Sequence, residues 1–373
     1  MSSFTFYEFF AGGGMARVGL GPNWTCLAAN DIDIKKTKVY AQNFGSHGLH
    51  QQDIRTLSAS SLPSHADLAW ASFPCQDLSV AAKGAGINGT RSSVLDHFIR
   101  LIAELRSDGR APKILVLENV PNLLTSSKGS DFRQVCTDLV AHGYKFGPLL
   151  IDAKHFLPQS RERLFIVALR EDLPQPTHLL GTGLEHSMPK RLWNALDSLP
   201  ANMRSEHLRW ALPNSTRPFS CNLASLLEPD HSAHWCSATK TDRLLGLMSP
   251  DHREEVTFRE KSGSRFVGAV FRRTRTVDGL KQQRAEVRFD GLAGCLRTAK
   301  GGSSRQELLV IDEGHTRSRL VSGREMARLM GLPDNYKLSA SDTQAANLLG
   351  DGVVVPVVRN LAEHLLEPIL RSV

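Results

Sequence analysis

Short apolar runs alternate with segments of helical periodicity over the first part of the chain, and this alternation limits the fold more than any other feature. Each run is short enough to be one strand, and most of them end in glycine or polar residues. We expect strands at Phe4–Phe10, Thr25–Ala29, Ala66–Phe73, Lys113–Leu117, Tyr144–Ile151 and Leu164–Leu169. Such alternation predicts an α/β fold in which helices cover both faces of the sheet.

The first predicted strand is followed by a glycine turn, Gly12 to Gly14, and then by a helical pattern. Strand, glycine turn and helix form the start of a Rossmann-like unit, although a glycine turn can also simply join a strand to a helix. Asp31 lies about 20 residues after this turn, where an acidic side chain either binds a ribose hydroxyl group or caps the next helix. Asp53 can equally act as a cap or contact a ligand.

Cys75 follows the predicted strand that ends at Phe73, and it precedes a loop rich in small residues. A lone cysteine often packs as a small apolar residue. Here, however, Glu118, Arg161 and Arg163 also lie at strand termini of the same predicted sheet, at the edge where such sheets bind ligands. These groups form a catalytic set, because positive charge lowers the pKa of a thiol and a thiolate attacks electrophilic carbon.

The length of 373 residues favours two domains, and the net charge of +7 suits a polyanionic partner. Six scattered cysteines indicate reduced thiols in a cytosol-like compartment. The N-terminus has no signal pattern, and no apolar run reaches the ~18 residues that span a membrane. We therefore expect a cytoplasmic protein without a membrane partner.

The regular alternation stops after about Arg170, and arginines become frequent instead. The basic, glycine-rich stretch Arg297–Arg305 either contacts phosphates and base edges or forms a solvated hairpin turn. We expect no metal site, because the cysteines and histidines of this region lack the close cysteine pair of a zinc site. Further on, Ser322–Met330 predicts a helix whose N-terminus carries a capping box formed by Ser322 and Glu325.

Short motifs also occur along the chain in an order that is typical of one enzyme family. They are Phe10-Ala11-Gly12-Gly13-Gly14, Pro74-Cys75-Gln76, Glu118-Asn119-Val120, Gln159-Ser160-Arg161-Glu162-Arg163, the segment Arg324–Pro333, and Gly350-Asp351-Gly352-Val353. On these residues the chain resembles the DNA (cytosine-5) methyltransferases, and the likeness covers both ends of the sequence. Several motifs in the right order are far more specific than any one of them.

The resemblance implies an enzyme that methylates carbon 5 of cytosine within a specific double-stranded DNA sequence, using S-adenosyl-L-methionine. The target base would leave the duplex, because chemistry on a stacked base is blocked. Cys75 would form a covalent adduct at carbon 6, while Glu118 would hold the ring nitrogen and the exocyclic amine. Arg163 would position the carbonyl oxygen of the base, and Arg161 would support the thiolate.

The same resemblance assigns binding residues. In this assignment Phe10 packs on adenine, Asp31 binds the ribose hydroxyls, and Asp53 and Ile54 face the adenine ring. The full cofactor-binding set is Phe10, Gly12, Gly14, Asp31, Ile32, Asp53, Ile54, Pro74, Asp351 and Val353. The expected DNA-binding residues are Gln76, Ser79, Arg91, Arg272, Arg273, Arg275, Arg297, Lys300 and Arg305.

The implied domains are a catalytic, cofactor-binding domain over residues 1–190 and 350–373, a target-recognition domain over residues 191–318, and a hinge or support segment over residues 319–349. We expect a monomer that binds double-stranded DNA in the cytoplasm, at the nucleoid if the cell is bacterial. A restriction endonuclease is the partner that such an enzyme can have in a restriction-modification system.

Four residues depart from the family pattern. Glu8 stands where aspartate is usual, Met15 where glycine is common, Ile32 where tryptophan often stacks on adenine, and Asp351 in place of asparagine. Asp351 matters most, because an acid there can repel the carboxylate of the cofactor and change the affinity for it or the choice of cofactor.

Three other functions are compatible with part of the sequence. An RNA cytosine-5 methyltransferase would share the fold and the nucleophile, but the arginine-rich middle region favours duplex DNA. A nicotinamide dehydrogenase would use the glycine turn and Asp31, but it leaves Cys75 and Glu118 unexplained. A DNA-binding regulator without activity would not need the complete set of motifs.

Overall fold

A computed structural model of the chain describes residues 4–74, 94–181, 189–213, 218, 221–277, 279–298 and 306–373. The chain forms two compact units. The first consists of Met1–Asp152, Glu162–Asn214 and Gly352–Val373, and the second consists of Ala153–Arg161 and Ser215–Asp351. Within the described residues, one sheet has seven strands and the other has four. The expected α/β class, with a second and smaller domain, is confirmed.

The sheet of the first unit is mostly parallel. In chain order its strands are β1 Phe4–Phe9, β2 Trp24–Asn30, β3 Leu49–His50, β4 Leu68–Ser72, β5 Ile114–Asn119, β6 Tyr144–Asp152 and β7 Glu162–Arg170. They lie in the order β3-β2-β1-β4-β5-β7-β6, and β7 runs antiparallel to both of its neighbours. Every residue of β5 is buried, as expected of a central strand that is covered on both faces.

The α-helices of the described residues include four in the region where the sequence shows no regular alternation. In chain order the α-helices are α1 Met15–Leu20, α2 Ile34–Phe44, α3 Val94–Ser107, α4 Ser130–Ala141, α5 Lys190–Asp197, α6 Ala201–Arg204, α7 Ala238–Gly246, α8 Pro250–Lys261, α9 Gly323–Leu329, α10 Asp342–Asp351, α11 Val355–Leu361 and α12 Glu367–Ser372. The four in that region are α5 to α8. A π-helical segment, Ala362–Leu366, joins α11 to α12.

Helix α3 shows how the apolar pattern forms the core of the first unit. Its buried residues include Leu95, Phe98, Ile102 and Leu105, which recur at helical spacing along one face. The ring of Phe98 meets the ring of Phe9 on β1, with centroids 5.4 Å apart. The helix therefore covers one face of the sheet next to the strand that leads to the glycine turn.

The C-terminal part of the chain packs against the first helix. A Cβ atom at Gly19 of α1 would lie only 2.4 Å from the Cβ of Val358 on α11, so the absence of a side chain permits this approach. The Arg359 guanidinium donates a hydrogen bond of 2.7 Å to the carbonyl oxygen of Leu20. These contacts hold α1, and with it the glycine turn that precedes it, against the C-terminal helices.

The second unit contains an antiparallel sheet of strands β8 Phe266–Val277, β9 Leu280–Arg288, β10 Glu307–Asp312 and β11 His315–Leu320. The strands lie in the order β11-β10-β8-β9. One apolar cluster joins this sheet to α7 and α8, and its members include Leu244, Val256, Val270, Val287 and Leu309. This part of the chain thus has a core of its own, although the sequence there shows no alternation of strands and helices.

The capping box predicted at the start of α9 is confirmed. The Ser322 hydroxyl oxygen accepts a hydrogen bond from the backbone N–H of Glu325, and the Glu325 carboxylate accepts one from the backbone N–H of Ser322. The same carboxylate also binds the Arg319 guanidinium at 2.7 Å, and both side chains are buried. Removing one member of a buried ion pair leaves an uncompensated charge. Glu325 therefore stabilises the packing of the second unit as well as the N-terminus of α9.

Candidate active site

Four motif residues lie at the carboxyl ends of neighbouring parallel strands, at one edge of the first sheet. Gly12 follows β1, Asp31 follows β2, Pro74 follows β4, and Glu118 lies near the end of β5. Because parallel strands present their carboxyl ends on the same side, the structure brings these four residues to the edge where α/β sheets bind ligands.

Asp31 is joined directly to the glycine turn. Its Oδ2 accepts a hydrogen bond of 2.8 Å from the backbone N–H of Gly12, and its Oδ1 accepts one of 2.8 Å from that of Asp33. Gly12 has a φ of 56°, and a Cβ atom at this position would contact nothing within 4 Å. The turn therefore exposes backbone to open space beside a carboxylate, an arrangement that suits a ligand.

Asp33, and not Asp31, caps helix α2. The Oδ1 of Asp33 accepts hydrogen bonds from the backbone N–H groups of Lys35 and Lys36, at 2.8 and 3.4 Å. The alternative in which Asp31 caps this helix is therefore wrong. Burial raises the pKa of the Asp31 carboxyl, although the backbone N–H groups that it binds act in the opposite direction. Each carboxylate oxygen keeps the capacity to accept a further hydrogen bond from a hydroxyl group.

The residues expected around adenine differ in exposure. Ile32 is 64% exposed and presents apolar surface beside Asp31, whereas Ile54 is buried in the core. Phe10 is half-buried and has a φ of 56° at the start of the glycine turn. The Asp53 carboxylate caps a short 3-10 helix and binds Arg55, whose hydrogen bond lowers the pKa of that carboxyl.

Glu118 and Arg163 form a buried pair at the end of the sheet. The Nε of Arg163 lies 3.3 Å from the Oε1 of Glu118, and the two side chains are only 15% and 7% exposed. The antiparallel pairing of β5 with β7 causes this approach, since Asn119 is in register with Leu164. The Arg163 guanidinium also donates to the carbonyl oxygen of Glu162 at 2.8 Å. Two residues that are far apart in sequence are thus held together in one orientation.

Asn119 has a positioning role that the sequence analysis missed. Its side-chain amide donates a hydrogen bond of 2.9 Å to the carbonyl oxygen of Phe73, and both groups are buried. Its Oδ1 accepts one of 2.8 Å from the backbone N–H of Val120. Asn119 therefore ties the end of β5 to the segment that continues into Pro74 and Cys75. The available signal was the amide directly after Glu118 in the same motif.

Glu8, which lies on β1, is a buried acid without a cation bound to its carboxylate oxygens. Its Oε1 accepts a hydrogen bond of 3.4 Å from the backbone N–H of Arg17, whereas its Oε2 is buried without a hydrogen-bond partner. Burial raises the pKa of Glu8 to about 8. At neutral pH this carboxyl group is therefore mostly protonated.

Several expected site residues lie outside the described residues. They are Cys75, Gln76, Ser79 and Arg91, which follow β4, and Lys300 and Arg305, which precede β10. Their roles stay predictions.

A profile of the family described as C-5 cytosine-specific DNA methylase matches residues 4–367 of the chain. The chain belongs to this family. It is 28% identical to the Type II methyltransferase M1.ScrFI of Lactococcus lactis subsp. cremoris, over 98% of this chain and 78% of the relative. It is 25% identical to the Type II methyltransferase M.HhaI of Haemophilus parahaemolyticus, over 98% of this chain and 95% of the relative.

Solved structures are similar in fold. A variant of DNMT2 from Spodoptera frugiperda superposes with a TM-score of 0.61 at 17% identity, covering 99% of this chain and 100% of that one. The Entamoeba histolytica methyltransferase EhMeth superposes with a TM-score of 0.59 at 17% identity, covering 98% of this chain and 99% of that one. At this level of identity the likeness concerns the fold alone.

In this methyltransferase, Arg161 is held inside the second unit. It is 2% exposed, and its guanidinium donates hydrogen bonds to the carbonyl oxygens of Leu296 and Gly350, at 2.8 and 2.9 Å. These bonds join two segments that are far apart in sequence. The expected support of the Cys75 thiolate by Arg161 stays a prediction.

The last motif of the methyltransferase crosses from one unit to the other. Asp351 is exposed and ends α10, while Val353 is buried in the first unit. A Cβ atom at Gly350 would lie 2.7 Å from the carbonyl carbon of Arg297, so the two backbones approach closely. Arg297 itself is exposed.

The arginines of β8 are bound to carboxylates of the same sheet. Arg272 makes two hydrogen bonds of 2.7 and 2.6 Å to Glu307 on β10. Arg273 and Arg275 share Glu286 on β9, at 3.4 and 2.7 Å. The arginine cluster that suggested a nucleic-acid surface is therefore partly neutralised by acids that the linear sequence places elsewhere.

The described residues contain no group of three or more histidine, cysteine, aspartate or glutamate side chains that could hold a metal ion. Among the helices of the described ranges, none is both long enough and apolar enough to cross a bilayer.

Proposed function

We propose that this methyltransferase transfers a methyl group from S-adenosyl-L-methionine to carbon 5 of a cytosine within a specific double-stranded DNA sequence. In this proposal the target base is flipped out of the duplex and bound covalently by Cys75. The observation that carries the proposal is the Glu118–Arg163 pair, in which Glu118 lies on β5, directly beside the strand β4 that leads into Pro74 and Cys75, and Arg163 lies on β7, on the other side of β5. A carboxyl group and a guanidinium held in one orientation suit the polar edge of a single base.

The edge at Gly12 and Asp31 fits the nucleoside part of the cofactor. The Asp31 carboxylate would accept hydrogen bonds from the ribose hydroxyls, and the exposed Ile32 side chain would pack on adenine. Phe10, Gly14, Asp53, Ile54, Pro74, Asp351 and Val353 complete the proposed site. When bound, S-adenosyl-L-methionine supplies an electrophilic methyl group on a sulfonium sulfur.

The reaction begins at Cys75 and Glu118. The Cys75 thiolate adds to carbon 6 of cytosine, and the electron pair of the bond between carbons 5 and 6 makes carbon 5 nucleophilic. Glu118 protonates or hydrogen-bonds the ring nitrogen, so that the negative charge that develops in the ring is neutralised. After carbon 5 has accepted the methyl group, a water or small base removes its proton. The electron pair of that C–H bond then restores the double bond and expels the Cys75 thiolate.

Positioning residues supply the geometry of this reaction. Arg163 donates hydrogen bonds to the carbonyl oxygen of the base and holds Glu118 in place. Asn119 fixes the segment before Cys75 through the carbonyl oxygen of Phe73. Arg161 would support the thiolate. Groups held in place before the reaction begins need little reorganisation during it.

In this proposal, different parts of the chain have different functions. Residues 1–190 and 350–373 would form the catalytic domain, residues 191–318 the target-recognition domain, and residues 319–349 a support segment. DNA would contact Gln76, Ser79, Arg91, Arg272, Arg273, Arg275, Arg297, Lys300 and Arg305. We expect a monomer that acts in the cytoplasm, at the nucleoid of a bacterial cell, and that can be paired with a restriction endonuclease.

The test is transfer of a labelled methyl group to duplex DNA of mixed sequence, with tRNA as the competing substrate. We expect label in duplex DNA at carbon 5 of cytosine, and none after Cys75→Ser. With duplexes that carry 5-fluorocytosine at the target, the wild-type protein should form a complex stable to denaturant, because fluorine cannot leave as a proton does. Cys236→Ser is the control, since Cys236 is a partly exposed cysteine outside the proposed site. Label in tRNA alone, or full transfer by Cys75→Ser, would contradict the proposal.

A further inference from the structure

Strands β8 and β9 form a two-stranded ribbon that extends beyond the sheet of the second unit. They pair without interruption from Ala269 with Arg288 to Val277 with Leu280. Strand β10 pairs with β8 only up to Val270. Beyond that point, the described part of the chain provides β8 with no strand partner except β9. Among the described residues, the distal part of the ribbon, residues 271–277 and 280–284, has no further strand partner on either edge, whereas Ala285 donates a backbone hydrogen bond to the carbonyl oxygen of Leu247.

The two faces of this ribbon differ. One face turns Val270, Ala285 and Val287 into the apolar core of the second unit. On the other face, Arg273 lies directly opposite Arg284 and Arg275 lies directly opposite Gln282. Like charges placed directly opposite each other destabilise a strand pair. A negative charge close to the pair, on the protein or on a ligand, offsets this repulsion.

One carboxylate, Glu286, binds two of the arginines Arg273, Arg275 and Arg284 on this face. Glu286 binds both Arg273 and Arg275, whose side chains remain 55% and 48% exposed. Arg284 makes no ion pair with any carboxylate of the described residues. Exposed ion pairs contribute little to stability, so Glu286 orients its two arginines without withholding them from a ligand. The face keeps an excess of positive charge, with Arg284 as its uncompensated group.

Leu280, the first residue of β9, also indicates a contact surface. It is a large apolar side chain at the tip of the ribbon, and it is 66% exposed. The major groove of B-DNA admits a two-stranded β-ribbon, and a thymine methyl group in that groove offers an apolar contact. The two-stranded form, the excess of positive charge and the exposed leucine of the ribbon are all consistent with this groove.

We propose that the distal ribbon reads bases in the major groove and that Arg284 is a specificity-determining residue for a guanine. This inference rests on the proposed function and deepens it. The guanidinium fork of Arg284 would bind the O6 and N7 atoms of that guanine, and Gln282 would bind a neighbouring adenine or phosphate. The recognised sequence then contains a guanine in addition to the one that pairs with the target cytosine.

The test starts from the sequence that the wild-type protein modifies, determined by methylation-sensitive sequencing of DNA from cells that express the full chain. Duplexes of that sequence are then made with 7-deazaguanine at one guanine at a time, which removes only the N7 acceptor. We expect one position at which methyl transfer by the wild-type protein falls about tenfold or more. Inosine at the same position removes a minor-groove group and should be tolerated.

The variant Arg284→Lys keeps the charge but cannot bind two acceptors with a rigid fork. We expect it to lose about ten- to a hundredfold in transfer to the normal duplex, and to lose nothing more when 7-deazaguanine is present. Arg243→Lys is the matched control, because Arg243 is an exposed arginine on α7 in the same unit. If Arg284→Lys fails to fold, the 7-deazaguanine series on the wild-type protein decides the question by itself.

Two results would overturn this inference. The first is a modified sequence without an additional guanine. The second is a wild-type protein that tolerates 7-deazaguanine at every position. Either result leaves the proposed methyl transfer intact, whereas a wild-type protein that modifies no DNA at all contradicts the proposed function itself.

Discussion

The Glu118–Arg163 pair and the Glu286 cluster use the same chemical groups in opposite ways. The first pair is 7% and 15% exposed, whereas Glu286 is 24% exposed and its arginines are 55% and 48% exposed. Charges that are buried together are held in one arrangement, because separating them leaves an uncompensated charge away from water. Exposed pairs exchange partners at little cost. We infer that the first arrangement suits chemistry on one base and the second suits a partner that must be bound and released.

Glu8 adds a third state to this comparison, since it is a buried acid whose carboxylate has no bound guanidinium. Burial raises the pKa of this acid from 4.5 to about 8. Glu118 and Glu8 thus show two ways in which one sheet accommodates an acid at its core. Glu118 pairs with a cation, whereas Glu8 carries a proton.

The largest effect is expected from Glu118→Gln. An amide cannot transfer a proton to the ring, so methyl transfer should fall by about 10²–10⁴-fold in a single-turnover assay. Glu171→Gln is the control, because that acid belongs to an exposed ion pair with Arg106. A rate for Glu118→Gln within a fewfold of wild type would show that the buried pair has no chemical role.

Glu8→Gln should change the pH dependence of stability. Because the folded state binds this proton up to about pH 8 while the unfolded chain releases it near pH 4.5, stability should fall as pH rises through this window and level off above it. The loss is on the order of a few kcal/mol, and Glu8→Gln should remove most of it. Chemical denaturation at several pH values measures the effect. Parallel pH profiles of the two proteins would disprove the assignment.

Asn119→Ala tests the link between the buried pair and the nucleophile segment. The variant leaves the carbonyl oxygen of Phe73 buried without its donor, which costs about 1–3 kcal/mol. If Asn119 positions Cys75, the rate of trapping on 5-fluorocytosine duplexes should fall about tenfold while DNA affinity stays unchanged. Asn119→Asp, which lacks the amide donor, should behave similarly. A loss of stability with normal trapping would indicate a structural role alone.

The smallest effect is expected from Glu286→Gln. Loss of an exposed ion pair should change stability by less than about 1 kcal/mol. Removing the negative charge should tighten binding to DNA of any sequence a fewfold at low salt, and should reduce the preference for the recognised sequence. Binding to matched and mismatched duplexes at two salt concentrations measures both quantities. An unchanged preference would mean that Glu286 does not orient the arginines for reading bases.

The sequence by itself determined the elements whose signals are local. Apolar runs predicted six of the seven strands described in the first sheet and missed the two-residue β3, and the spacing of Ser322 and Glu325 predicted the capping box. A strand face and a helix end depend on neighbouring residues, and a strand of two residues carries too short a pattern. The family also followed from motifs that lie in linear order. These features can therefore be predicted from the linear sequence.

Only the tertiary structure decided which polar groups meet. Two acids near the start of α2 both suit a cap, and the geometry assigns that role to Asp33 and leaves Asp31 on the glycine turn. The hydrogen bond from Asn119 to Phe73 and the sharing of Glu286 by two arginines join separate strands. The energy of such contacts depends on distance and burial in three dimensions, and a linear pattern specifies neither.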